Sequence, residues 1–112
     1  MTLYFTMQTT KIHTLEELAD WSKGVKIKDH YVCQDCGELD RTLLESHHSQ
    51  PKEQYPELAL DPDNGECLCL VCHADRHRAN AFIYNMILAR LAKVLYLRMY
   101  PNRTFGTYKK AI

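Results

Sequence analysis

The sequence predicts an α+β domain: a two-stranded hairpin and the helix that follows it, stapled by a four-cysteine zinc knuckle, with added helices at each end. Three observations predict it. Two Cys-x-x-Cys pairs, Cys33/Cys36 and Cys69/Cys72, bracket the middle of the chain. Between them, two short strand-like runs flank a stretch broken by Pro51, Pro56 and Pro62. After the second pair no Gly or Pro occurs until Pro101, which leaves room for helix.

In chain order, residues 1–13 alternate apolar side chains at Leu3, Phe5 and Met7 without an evident partner, as a short edge strand or a loose arm would. Thr14-x-x-Glu17 is a capping box ahead of Leu15, Leu18, Ala19 and Trp21, and Gly24 is a natural stop, so a short amphipathic helix is expected. Residues 25–32 follow as a charged connector or weak strand. Cys33-Gln-Asp-Cys36-Gly37 is a tight knuckle in which Gly37 can take a positive φ. Residues 43–48 are expected as the first strand, 49–64 as an irregular loop, 66–70 as the second strand, and a helix from Val71 or Cys72. Residues 81–100 form a helix with Phe82, Ile83, Met86, Ile87, Leu91, Val94, Leu95 and Met99 spread beyond one stripe, which calls for cover on more than one face. A homodimer contact through this C-terminal helix would account for any excess. The organisation expected is one domain over 1–112: an N-terminal arm and helix (1–32), a zinc-stapled core (33–80), a C-terminal helix (81–100) and a tail (101–112).

At 112 residues the chain is the size of one modest domain, and a domain this small buries only about two thirds of its unfolded surface, so a staple is useful. Hydrophobic residues at 46% and charged residues at 25% are ordinary for a folded globular chain and exclude a disordered one. Lys plus Arg and Asp plus Glu both total 14. That balance removes the general basic bias of many nucleic-acid binders, so any DNA contact must come from a local patch. The first residues carry no basic segment followed by an apolar one, and no run reaches about 18 apolar residues; a cytoplasmic protein with no membrane contact is expected. Five cysteines, an odd number, suit a metal better than disulfides in that compartment.

Each Cys-x-x-Cys turn folds two thiolates onto one point, and two such turns supply the tetrahedral sulfur set of a closed structural zinc site. Cys69-Leu-Val-Cys72-His73 also fits the c-type haem attachment pattern, but that chemistry needs export. Cys67 lies on the same strand face as Cys69 and is either a substitute ligand or a small buried hydrophobe.

Glu45-Ser46-His47-His48, Asn64, His73 and His77 all lie between or just after the cysteine pairs. His13 and His30 stand apart and are treated as surface residues. Over about residues 33–78 this order resembles the HNH endonuclease family, the ββα-metal or His-Me finger nucleases, in its form with a four-cysteine zinc site. The resemblance implies a metal-dependent DNA endonuclease, a phosphodiester hydrolase. It implies that His48 is the general base, that His47 and His73 are ligands of the catalytic divalent ion, and that Asn64 holds the loop and, through a contact to the base, its orientation. His77, four residues after His73, projects from the same face of a helix and can share the ion, as in colicin-type members. Glu45 resembles the acidic residue those members carry near the base.

Alternation along a strand puts His47 and His48 on opposite faces, so a twist or bulge is expected to bring both to one site. Arg76 and Arg78 are candidate phosphate contacts, with solvated helix arginines as the plain alternative. A neutral His can take a proton from water, and a divalent ion can neutralise the phosphoryl and leaving oxygens. Neutral imidazoles favour Zn²⁺, Ni²⁺ and Mn²⁺ over Mg²⁺, so Mn²⁺ or Ni²⁺ should serve at least as well as Mg²⁺. The resemblance also implies 5′-phosphate and 3′-hydroxyl products; one chain presents one His48-centred site, so a monomer is expected to nick one strand at a time. The rival from another class is a non-catalytic four-cysteine zinc module that binds DNA or a protein, which would have no use for His48 or Asn64.

Overall fold

The computed structural model describes residues 13–103, so the alternation in Leu3, Phe5 and Met7 and most of the 101–112 tail lie outside the described residues. Among the described residues, three helices surround one antiparallel hairpin: α1 (Leu15–Lys28), β1 (Leu44–His48), β2 (Gly65–Cys69), α2 (Leu70–Arg76) and α3 (Ala81–Met99), with 3₁₀ turns at Arg41–Leu43, Pro56–Leu58 and Pro62–Asn64. The architecture is the predicted mixed one, a two-stranded hairpin running into a helix with helices at both ends. No helix among the described residues is long and apolar enough to cross a membrane.

The capping box forms at α1: Thr14 Oγ1 accepts from Glu17 N at 3.0 Å, and Glu17 Oε1 accepts from Thr14 N at 2.9 Å. Gly24 does not stop the helix. It costs about 1 kcal/mol relative to Ala in a helix interior, but Val25, one residue on, is fully buried against the hairpin and carries the helix to Lys28. The stop comes at His30 and Tyr31, both left-handed with φ of 58° and 56°. The first half of the expected connector at 25–32 is therefore helix. Its end covers the open edge of β2, where Lys28 Nζ donates to Gly65 O (3.0 Å) and Asp29 Oδ2 accepts from Cys67 N (2.8 Å), satisfying groups an edge strand leaves free.

The hairpin register is regular, from Leu44 opposite Cys69 to His48 opposite Gly65, so the expected bulge is absent. Strand alternation then sorts β1. Glu45 and His47 point toward α2 and α3, where they meet His73 and Arg90, while Ser46 and His48 point toward α1, where they meet Ser22 and Trp21. One apolar cluster joins Cys33, Leu44, Cys67, Leu68 and Cys69; Cys67 is buried there and takes the hydrophobe role. A second joins Leu70 and Ala74 of α2 to Ile87 of α3. The helical run divides at residues 77–80, where Asn80 caps α3 by accepting from Ile83 N at 3.1 Å. Among the described residues, Phe82 (74% exposed) and Met99 (70%) of α3 face solvent, while α2, the turn before β1 and, through Arg90 and Glu45, β1 itself meet its other side.

Candidate active site

Cys33, Cys36, Cys69 and Cys72 bring their sulfurs within 4.8 Å of one another. Gly37 takes φ 85° just after the first pair, which the turn requires. Cys36 Sγ and Cys69 Sγ lie 3.7 Å apart, against about 3.8 Å for the edge of a tetrahedron with Zn–S bonds of about 2.3 Å. Cys36 N donates to Cys33 Sγ and Cys72 N to Cys69 Sγ, both at 3.4 Å, so each knuckle offers an amide to a sulfur of its own pair. Burial acts to raise the Cys33 pKa, but backbone hydrogen bonds at Cys69, Cys36 and Asp35 outweigh it and bring the thiol down to about 7. Cys72 is pushed well above the ordinary thiol range by burial and by hydrogen bonds among the sulfurs. One thiolate thus resists its neighbours' ionisation, and a dication is what lets all four ionise together. The donor set fits Zn²⁺.

On the other side of α2, His47, His73 and His77 place one ring nitrogen each within 4.8 Å of the others. Ring centroids are 5.2 Å apart for His47 and His73, 5.1 Å for His47 and His77, and 5.2 Å for His73 and His77. His77 is the residue that caps α2 rather than a member of its last turn, yet it still reaches the group. Burial, then the neighbouring imidazoles of His73 and His77, depress the His47 pKa to about 4, and burial with His73 depresses that of His77. The two rings are neutral near pH 7 with lone pairs to offer.

Glu45 lies elsewhere than the resemblance suggests. It is not beside His48; it accepts from His73 Nδ1 at 2.9 Å and from Arg90 Nε and Nη2 at 2.5 and 2.8 Å. Burial alone would raise its pKa, but hydrogen bonds from His73 and Arg90 hold it at about 2. A carboxylate only accepts, so the proton of His73 sits on Nδ1 and Nε2 is left for a metal, the orientation that histidine ligands take from an outer carboxylate. No sequence signal marked Arg90, which shares its largely apolar helix with Lys93 and Arg98.

His48 closes β1 and stacks on Trp21, with ring centroids 3.7 Å apart and planes 4° from parallel. Its Nε2 lies 2.9 Å from Ala59 O. A carbonyl cannot donate, so Nε2 bears the hydrogen and Nδ1 is the free base. Burial is the main cause that lowers the His48 pKa below its ordinary value. His47, His48, His73 and His77 line one cleft of about 500 Å³ together with Lys52, Glu53, Ile83 and Met86. The two adjacent histidines therefore reach one cleft from opposite strand faces, at the strand end, without a bulge.

Asn64, 6% exposed, accepts from Gln50 N at 2.8 Å and donates to Gln50 O and Leu58 O at 3.1 Å each. It ties the loop shut and does not bond His48; it acts next door, on the segment that presents Ala59 O. Arg76 and Arg78 are not brought to the cleft as free cations. Arg76 forks onto Asp35 (2.9 and 2.8 Å) and Glu66 (2.9 Å), and Arg78 pairs with Asp75. Lys52 is the one Lys or Arg among the described residues that lines the cleft itself. Of the isolated histidines, His13 meets Pro56 O at 3.3 Å and is not among the residues lining the cleft, although its charge reaches His48.

Residues 33–79 match the family model described as HNH endonuclease. The match takes in both knuckles, the hairpin and α2, and leaves α1 and α3 outside. No curated protein and no solved structure matches the chain.

Proposed function

We propose that the chain, whose residues 33–79 match the HNH endonuclease family model, is a metal-dependent DNA endonuclease in which His48 is the general base. The observation that carries this is the state of His48: its Nε2–H is taken by Ala59 O, so Nδ1 is the unprotonated nitrogen of a ring lining the same cleft as three clustered imidazoles. A neutral base of this kind accepts a proton from water near pH 7.

His47, His73 and His77 would hold the catalytic ion, and Cys33, Cys36, Cys69 and Cys72 a structural zinc. Bound at the imidazoles, a divalent ion supplies charge neutralisation to a phosphoryl oxygen and the departing 3′ oxygen. Glu45 fixes the tautomer and direction of His73, and Asn64 fixes the loop on which the acceptor for His48 stands. Lys52 lines the cleft with its ammonium 2.7 Å from Glu53, and that pair would have to open for Lys52 to meet the DNA backbone. One His48 per chain implies one strand cut per event, with 5′-phosphate and 3′-hydroxyl ends.

Supercoiled plasmid incubated with the zinc-loaded protein and Mn²⁺, Ni²⁺ or Mg²⁺ should pass to open circles. An intact plasmid with every ion would leave the four-cysteine binding module as the better reading.

A further inference from the structure

The residue that holds the face of His48 lies outside the matched segment. Trp21 belongs to α1, and its indole lies parallel to the imidazole at 3.7 Å. The indole is itself fixed: it is 6% exposed and its Nε1–H donates to Asp61 O at 2.8 Å. Its seat is cut to size, because a Cβ on Gly65, the residue opposite His48 in the hairpin, would stand 2.8 Å from Trp21 Cζ2.

A histidine anchored by one hydrogen bond keeps freedom to turn its ring, since the last torsion of His is broad. Among the described residues the His48 ring has that one bond, to Ala59 O. The flat indole supplies the missing restraint, and both anchors return to one loop, the imidazole to Ala59 and the indole to Asp61. Leucine would fill the volume but would not set a plane.

We infer that Trp21 is a positioning residue for catalysis, holding the plane of the His48 imidazole from a helix outside the HNH domain. This rests on the assignment of His48 as general base. Misplacement of a reacting group by about 1 Å can cost on the order of 10²-fold in rate, so loss of the flat face should lower kcat by roughly 10-fold to 100-fold and leave KM for DNA unchanged.

The test compares Trp21→Phe and Trp21→Leu in the full, zinc-loaded chain. Both lose the bond to Asp61 O; only Leu loses the aromatic face. Measured are kcat, KM, zinc content, Tm and the ring-proton NMR signals of His48, assigned with His48→Ala. The expected result is an upfield, ring-current-shifted His48 in the wild type, retained in part by Trp21→Phe and lost in Trp21→Leu, with kcat following the shift rather than Tm. Wild-type kcat in Trp21→Leu would overturn the inference, as would equal losses in both variants that track Tm. If Trp21→Leu does not fold, unshifted His48 protons in the wild type would still overturn it. A wild type that cuts no DNA would refute the nuclease assignment, while the NMR shift would separately decide whether the indole holds the ring.

Discussion

Gly65→Ala tests the packing on which the cleft depends. Gly65 is extended, at φ −154° and ψ 156°, so alanine meets no backbone strain there. The obstacle is space: the new methyl would lie 2.5 Å from Val25 Cγ2 and 2.8 Å from Trp21 Cζ2, both on α1. Carbon atoms pack best at about 3.5–4.0 Å, so α1 or the end of β2 must move by about 1 Å. Overpacking of this kind costs roughly 1–3 kcal/mol, and the reduced freedom of the unfolded chain returns about 0.4–1 kcal/mol. A net loss of about 1–2 kcal/mol corresponds, for a domain near this size, to a Tm lower by roughly 4–10 °C. Gly24→Ala is the control: its methyl would meet Pro62 Cγ at 3.4 Å, an ordinary contact, within a helix interior where Ala is favoured by about 1 kcal/mol. Differential scanning fluorimetry at fixed zinc should place Gly65→Ala below and Gly24→Ala above the wild type. A Gly65→Ala Tm equal to that of the wild type would refute the stated packing of α1 on the hairpin.

Zinc content should be one tightly held ion per chain, and Cys36→Ser or Cys72→Ser should unfold or aggregate, whereas Cys67→Ser should be milder; elemental analysis finding no zinc in folded protein would count against the knuckle. Glu45→Gln removes the carboxylate that orients His73 and should weaken binding of the catalytic ion about 10-fold to 100-fold, read by Mn²⁺ titration. His73→Ala should lose more, with partial recovery of cleavage at high metal concentration. In a plasmid digest open circles should precede linear DNA; linear product without that intermediate would replace independent nicking by a pair of chains acting together.

The metal-binding pattern was legible because ligand spacing is local. Cys-x-x-Cys turns and the His73, His77 pair are set by one turn of chain, and the structure brings each group within a few ångströms. Contacts set by tertiary packing were not legible. Gly24 reads as a stop until Val25 is seen buried on the hairpin. Glu45 reads as a neighbour of His48, but the two-residue period of β1 puts it on the face of His73 and Arg90. Asn64 and His48 share a loop rather than a bond. Arg76 carries a charge suited to phosphate, yet Asp35, far along the chain, already holds it. Trp21 reads as core from its place on an amphipathic helix, and nothing in one sequence says that a histidine lies flat against it.

The most direct test of the account is single-turnover cleavage of supercoiled plasmid by the wild type and His48→Ala at saturating Mn²⁺, with zinc content and DNA binding matched. The account predicts that His48→Ala cleaves about 10²-fold to 10⁴-fold more slowly, the usual loss on removing a general base. Cleavage by His48→Ala at the wild-type rate would contradict it.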